Sequence, residues 1–306
     1  AGMVFFFWRL YLVIVISNKS LKSKLKVSIL NGLRNIMVFA LGHKKMLRKR
    51  WAGIFHIFVL FAFFSVNIFI IEVLIEGFSG FAIHRPFYSV LGRLYNVIVA
   101  ITDVILWAGL ISVIFFFIRR YFIKPVQFRG YELGKANHID ALVDLIAIFI
   151  LITGVTMVNG ADAIKIPSLT FPLSEKIWGS IVRNSEDLLF LRTVGWFLHT
   201  LMLIFFLFYL PFSKHFHIFT AFVYLFFYEE RKNAYVEISE GLVKQIKAIM
   251  EGREPPSEEV KYGAKDVFDL DAIDILGSFA CTECGRCSAS CPAYLTGKKL
   301  SPRKIM

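Results

Sequence analysis

Four unbroken apolar runs, at roughly 51–76, 94–118, 140–160 and 188–212, are each long enough to cross a hydrocarbon core of about 30 Å as a helix, which takes about 20 residues. Backbone groups in such runs find no water to bond, so each segment must satisfy itself as a helix, and the chain is expected to be an all-α membrane protein. A mean hydropathy of +0.62 and 33 Phe exclude an ordinary soluble domain. A fifth apolar run, 2–16 (GMVFFFWRLYLVIVI), has neither an initiator Met nor a charged n-region and reads as a trimmed first helix rather than a signal peptide. Five spans are therefore expected.

The net charge of +12 comes from Lys and Arg in loops flanking those runs, the pattern of a membrane protein and not of a nucleic-acid-binding surface. Fifteen basic residues fall between the first two spans and after the third, against five on the opposite side. The basic side is expected to be cytoplasmic, which places everything after about residue 228 there too. The expected organisation is a membrane domain over 1–227, a linker over 228–274 and the start of a small α-helical iron–sulfur domain over 275–306. Within the linker, 235–250 (YVEISEGLVKQIKAIM) has the apolar spacing of an amphipathic helix.

Histidines carry the information in the membrane half. His56 lies near the cytoplasmic end of the second span, where an ionisable ring usually faces a bundle interior. His199 and His217 are eighteen residues apart, five helical turns, so one helix continued through Pro211 would hold both rings on one face about 27 Å apart. Antiparallel packing of the second and last spans brings His56 level with His217, and two opposed imidazoles in a bundle suit the axial positions of a b-type haem. A purely structural, hydrogen-bonding role is the alternative for each ring. The level facing His199 reads Ser65, Val66, Asn67, without an imidazole, so His199 either holds a second haem with a ligand from elsewhere, such as His84, or serves a quinone. Arg50, Arg192 and Lys214 are candidates for pairing with haem propionates. Asp103, inside the third span, and His84 are candidates for quinone or proton chemistry, and Asp103 is equally a candidate for a structural pairing. His43 and His138 are expected to be solvated, and His215 to serve the surface or a propionate.

Residues 281–292 read CTECGRCSASCP, the C-x2-C-x2-C-x3-C-P spacing of cysteine ligands to a [4Fe–4S] cluster. Zinc is the metal alternative, but zinc sites usually divide into two C-x2-C halves across a longer loop. In two-cluster ferredoxins the fourth cysteine serves the other cluster. Either Cys291 joins Cys281, Cys284 and Cys287 around one cluster, or the chain is part of a longer polypeptide with a second run and a second cluster, which is the expectation here.

On both halves these segments resemble known families. RWAGIFH and LHTLMLIFFLFYLPFSKHFH are similar to the ligand-bearing segments of the respiratory nitrate reductase gamma subunit and of the cytochrome b subunit of heterodisulfide reductase. That resemblance implies a five-helix haem b bundle with His56, His199 and His217 at ligand positions, and it departs at Val66, where the nitrate reductase subunit has its fourth ligand. CTECGRCSASCPAYLTGKKLSPRKIM resembles the ferredoxin-like start of membrane-bound iron–sulfur oxidoreductases related to heterodisulfide reductase, a family that includes electron transfer flavoprotein:menaquinone oxidoreductases. The resemblance implies a multi-pass protein of the cytoplasmic membrane that passes electrons between a cytoplasmic donor, such as an electron transfer flavoprotein, and menaquinone, through a [4Fe–4S] cluster and one or two haems b. Two alternatives stay open: a quinol-dependent disulfide or thiol reductase, and a haem-free membrane anchor for an iron–sulfur module.

Overall fold

Each apolar run becomes a helix, because in a segment poor in Gly, Pro and polar side chains only local i to i−4 bonding satisfies the backbone. The computed structural model describes residues 2–79, 85–128, 134–229, 240–254 and 264–305. Its helices in chain order are α1 (Gly2–Ser17), α2 (Ile29–Asn35), α3 (Arg50–Phe78), α4 (Pro86–Leu91), α5 (Arg93–Ile118), α6 (Lys135–Lys165), α7 (Pro172–Gly179), α8 (Ser185–Tyr209), α9 (His217–Phe227), α10 (Glu240–Met250), α11 (Ala272–Phe279), α12 (Arg286–Ser290), α13 (Pro292–Leu295) and α14 (Pro302–Ile305). No strand occurs among the described residues.

By length and composition four helical stretches are able to cross a membrane: Arg50–Glu72, Arg93–Ile123, Lys135–Lys165 and Ser185–Phe212. The expected fifth, α1, is helical, but 16 residues reach about 24 Å, short of a 30 Å core. Four of the five expected spans meet this measure. The amphipathic linker helix is present as α10; residues 235–239 of the expected segment lie outside the described residues.

Contacts divide the chain into two units. The first comprises the described residues within 2–6, 43–215 and 282–305, the second those within 7–42 and 216–281. The first is built on α3, α5, α6 and α8, with Ala62 and Val66 of α3, Val99 and Leu106 of α5, and Ile152 and Val155 of α6 in its core. In the second, α2 and α11 pack on α9. There Asn35 Nδ2 donates to the carbonyls of Leu225 and Tyr228 at the end of α9, and Ser20 Oγ donates to Leu270 O at 2.6 Å.

The last long helix does not continue to His217. It ends at Tyr209, tightens into a 3-10 turn over Leu210–Phe212, and Ser213 is extended at φ −93°, ψ 166°. Pro211 supplies the cause, since its ring clashes with the preceding turn and it has no N–H to continue the ladder. His217 therefore opens a separate helix, α9, in the second unit, and the expectation of one continuous helix face carrying His199 and His217 is corrected.

Asp103 on α5 is fully buried and used by the fold. Its Oδ2 accepts from the N–H groups of Leu173 at 2.8 Å and Ser174 at 3.0 Å, and its Oδ1 accepts from the Ser174 hydroxyl. A carboxylate from a neighbouring helix thus caps the N-terminus of α7, where unpaired amides and the helix dipole both favour negative charge. Of the two roles open to Asp103, the structure shows the structural pairing. D103A strands those donors and is expected to destabilise the protein by about 3 kcal/mol, with D103N intermediate, as read from thermal unfolding in detergent.

Candidate metal centres

α6 and α8 approach each other closely at two glycines. A Cβ added at Gly154 would lie 2.7 Å from His199 N and 2.8 Å from Gly195 O, and one added at Gly195 would lie 2.8 Å from Gly154 O. Small residues that bring helix backbones together are the usual device of membrane helix pairs. Here the approach places the His199 ring against α6. The ring is 6% exposed, and its Nδ1 lies 3.1 Å from Leu151 O. A carbonyl only accepts, so Nδ1 carries the proton and Nε2 presents its lone pair. That Nε2 is buried and has no hydrogen-bond partner among the described residues. A ring oriented by Nδ1–H on a carbonyl, with a bare Nε2, is the arrangement of a metal-ligating histidine.

His56, in the interior of α3, has its Nδ1 2.9 Å from Nε2 of His43, with ring centroids 5.1 Å apart. His43, expected to be solvated, is 3% exposed. The correction has a local cause: the chain turns sharply at His43, at φ 49°, and the His43 carbonyl takes the N–H groups of Met46 and Leu47, which tucks the ring inward. His215 lies with its ring 5.4 Å from that of Phe206, and the His138 carbonyl accepts from the Tyr121 hydroxyl. His84 lies outside the described residues. Val66 is a core residue of α3.

The basic candidates have protein partners or are exposed. Arg192 Nε lies 2.8 Å from Asp162 Oδ1, Lys214 Nζ lies 2.7 Å from Glu283 Oε2, and Arg50 is exposed at the start of α3.

Sequence reasoning missed a buried charge network in the first unit. Arg85 donates through Nη1 to Glu72 Oε2 at 3.2 Å and through Nη2 to Asp162 Oδ2 at 2.7 Å and Asn159 Oδ1 at 3.1 Å. Its guanidinium carbon lies 5.6 Å from the Phe69 ring centre and 5.4 Å from that of Phe171, and Tyr95 donates to Glu72 Oε2 at 2.8 Å. Burial alone would push the Arg85 pKa down; Asp162, Tyr95 and Glu72 outweigh it and hold the guanidinium charged. The available signal was the pair of acidic residues, Glu72 and Asp162, inside or at the end of apolar runs.

The cysteine motif straddles the division between the units: Cys281 ends the second, and Cys284, Cys287 and Cys291 belong to the first. Two left-handed residues, Glu283 at φ 51° and Gly285 at φ 70°, curl the loop, and α12 follows directly. Within the first unit α12 packs on the 3-10 turn Val126–Phe128, and Arg303, from α14, donates to Gln127 O. Lys214 ties Glu283 to the segment that follows α8.

Burial pushes the Cys284 thiol up, but the backbone N–H and guanidinium of Arg286 and the Thr282 hydroxyl favour the thiolate more, and the thiol ends below its ordinary value. Arg286 Nε lies 3.4 Å from Cys284 Sγ. A curled loop with an acidified thiol and four cysteines in eleven residues fits a thiolate-bound iron–sulfur cluster in its donor chemistry. Among the described residues no three His, Cys, Asp or Glu side chains converge closely enough to hold a single metal ion.

The chain is similar to the probable iron–sulfur-binding oxidoreductase FadF of Bacillus subtilis (strain 168), at 30% identity over 284 residues that cover 90% of this chain and 36% of that protein. It is also similar to the EtfAB:quinone oxidoreductase of Syntrophomonas wolfei subsp. wolfei, at 25% over 281 residues, 87% of this chain and 35% of that protein. A third similarity, 41% over 44 residues, is to a probable membrane-anchored ferredoxin of Chromohalobacter salexigens and covers 14% of this chain and 7% of that protein. The chain thus spans 36% and 35% of the length of the first two relatives. No protein-family model and no solved structure matches it.

Proposed function

We propose that this chain is the membrane electron-transfer part of a quinone-linked iron–sulfur oxidoreductase, moving electrons between a cytoplasmic donor of the electron transfer flavoprotein type and menaquinone. The observation that carries this reading is the His199 imidazole, whose Nδ1–H is held by Leu151 O and whose Nε2 is buried without a partner among the described residues. The similarity to a probable iron–sulfur-binding oxidoreductase and to a quinone oxidoreductase supports it. In this reading His56, His217 and His199 are haem b axial ligands, and Cys281, Cys284, Cys287 and Cys291 bind the cluster of a cytoplasmic ferredoxin-like domain. Haem b and a [4Fe–4S] cluster supply one-electron transfer when bound.

The chain's own residues bind and orient. Leu151 O fixes the His199 tautomer, the Gly154–Gly195 approach seats that ring against α6, and Arg286 favours the thiolate form of Cys284.

The test is a dithionite-reduced minus oxidised spectrum of the detergent-purified full-length protein, with haem counted per polypeptide. A b-type signal is expected, and H199L should remove the haem held by His199 while leaving non-haem iron and acid-labile sulfide unchanged. An H199L protein with undiminished haem overturns the ligand assignment. A wild-type protein with iron and sulfide but no haem overturns the electron-transfer bundle in favour of an anchor.

A further inference from the structure

We infer that His43 is a positioning residue for His56: it accepts the Nδ1–H of His56 through its own Nε2, and so fixes the orientation and raises the electron donation of a ring that ligates through its other nitrogen. The inference rests on the proposed role of His56 as a haem ligand and goes beyond it, because His43 touches no iron in this arrangement.

Three observations carry it. The two nitrogens are 2.9 Å apart, and a His56 ring that ligates through Nε2 has its proton on Nδ1 and needs an acceptor there. His43 is 3% exposed although it lies in a run of basic residues, GHKKMLRKR, so its burial does not follow from its neighbours' polarity. The backbone is built to hold it: His43 takes a left-handed φ of 49°, its carbonyl accepts from Met46 at 2.8 Å and Leu47 at 3.0 Å, and the resulting turn packs on α3 at Gly53. A Cβ at Gly53 would lie 2.8 Å from Met46 O and 2.9 Å from Leu47 Cα. Gly53 precedes His56 by three residues, so both lie on one face of α3. The turn that carries His43 is thereby seated one helical turn below the ring it contacts.

Losing the acceptor makes His56 a poorer electron donor, which favours reduced over oxidised iron and raises the midpoint potential. Outer-shell partners of metal-bound histidines change affinity by roughly 10- to 100-fold. Three variants of the full-length protein separate the possibilities, read by haem retention, optical redox titration and low-spin EPR of the oxidised haem. H43Q, whose amide oxygen also accepts, is expected to keep wild-type retention and potential. H43L is expected to retain haem about 10- to 100-fold more weakly and to titrate at a higher potential. G53A leaves both rings intact, forces the Met46–Leu47 backbone off α3 and is expected to reproduce the upward shift, so the inference stays testable if H43L does not fold.

H43Q and H43L behaving alike overturns the inference. If both lose the haem, His43 is itself a ligand; if both keep it unchanged, the contact is incidental. Either result leaves the haem reading standing, whereas a wild-type protein without haem overturns both.

Discussion

Replacing Arg85 with Leu is expected to cost the fold about 3–5 kcal/mol, the range for breaking a buried ion pair by removing one partner. The reason is what stays behind. Glu72 Oε2 and Asp162 Oδ2 lose their cation, and Asn159 Oδ1 loses its donor, and all three side chains are buried. Asp162 keeps Arg192 at 2.8 Å, so Glu72 bears most of the loss. R85L/E72Q is accordingly expected to recover a substantial part of the R85L deficit, because the stranded charge is removed with its partner. R85K should fall between, since one ammonium cannot bridge three acceptors in the fork geometry of a guanidinium. Thermal or detergent-induced unfolding of the four proteins checks this, and R85L as stable as wild type would show that the network contributes nothing.

Replacing Gly285 with Ala is expected to abolish cluster assembly while leaving the helical part of the protein intact. Two effects act together. A φ of 70° is strained for any residue with a Cβ, by about 1–2 kcal/mol. The new methyl would also lie 2.7 Å from Gln127 Cβ and 2.9 Å from Gln127 O, of which the second is backbone and cannot move aside, besides meeting the Arg303 guanidinium. The loop that carries Cys284 and Cys287 must then leave its seat on the 3-10 turn Val126–Phe128. Iron and acid-labile sulfide per polypeptide, with the EPR signal of the reduced protein, report the loss. C284S gives the reference for loss of a ligand without change of loop shape.

The positions of the long helices were legible in the amino-acid sequence because an apolar run of 20 or more residues leaves the backbone one option. α3, α5 and α6 each cover the run that announced them, and α8 covers its run as far as Tyr209. What was not legible depended on neighbours remote in sequence. His43 sits in GHKKML, polar by every local measure, and its burial arises from a turn that packs at Gly53. Arg85 read as one basic residue in a loop, yet it collects acceptors from α3 and α6 at separations of 13 to 77 residues. Asp103 showed as a carboxylate in an apolar helix, but its task is set by where α7 begins, 70 residues on. The break after Tyr209 was readable from Pro211, and the regular spacing of His199 and His217 outweighed it in the sequence reading. The cysteine spacing reveals its donor chemistry without any fold, whereas the tie from Glu283 to Lys214 required one.

The close crossing of α6 and α8 has a further consequence. Where two backbones touch without intervening side chains there is little slack, and a ring pinned at Nδ1 to one helix and anchored at Cα to the other has no room to swing. Such a mount keeps nuclear rearrangement small when charge arrives or departs nearby. It would lower the reorganisation energy of an electron exchange at His199, through two missing methyl groups as well as the hydrogen bond to Leu151 O.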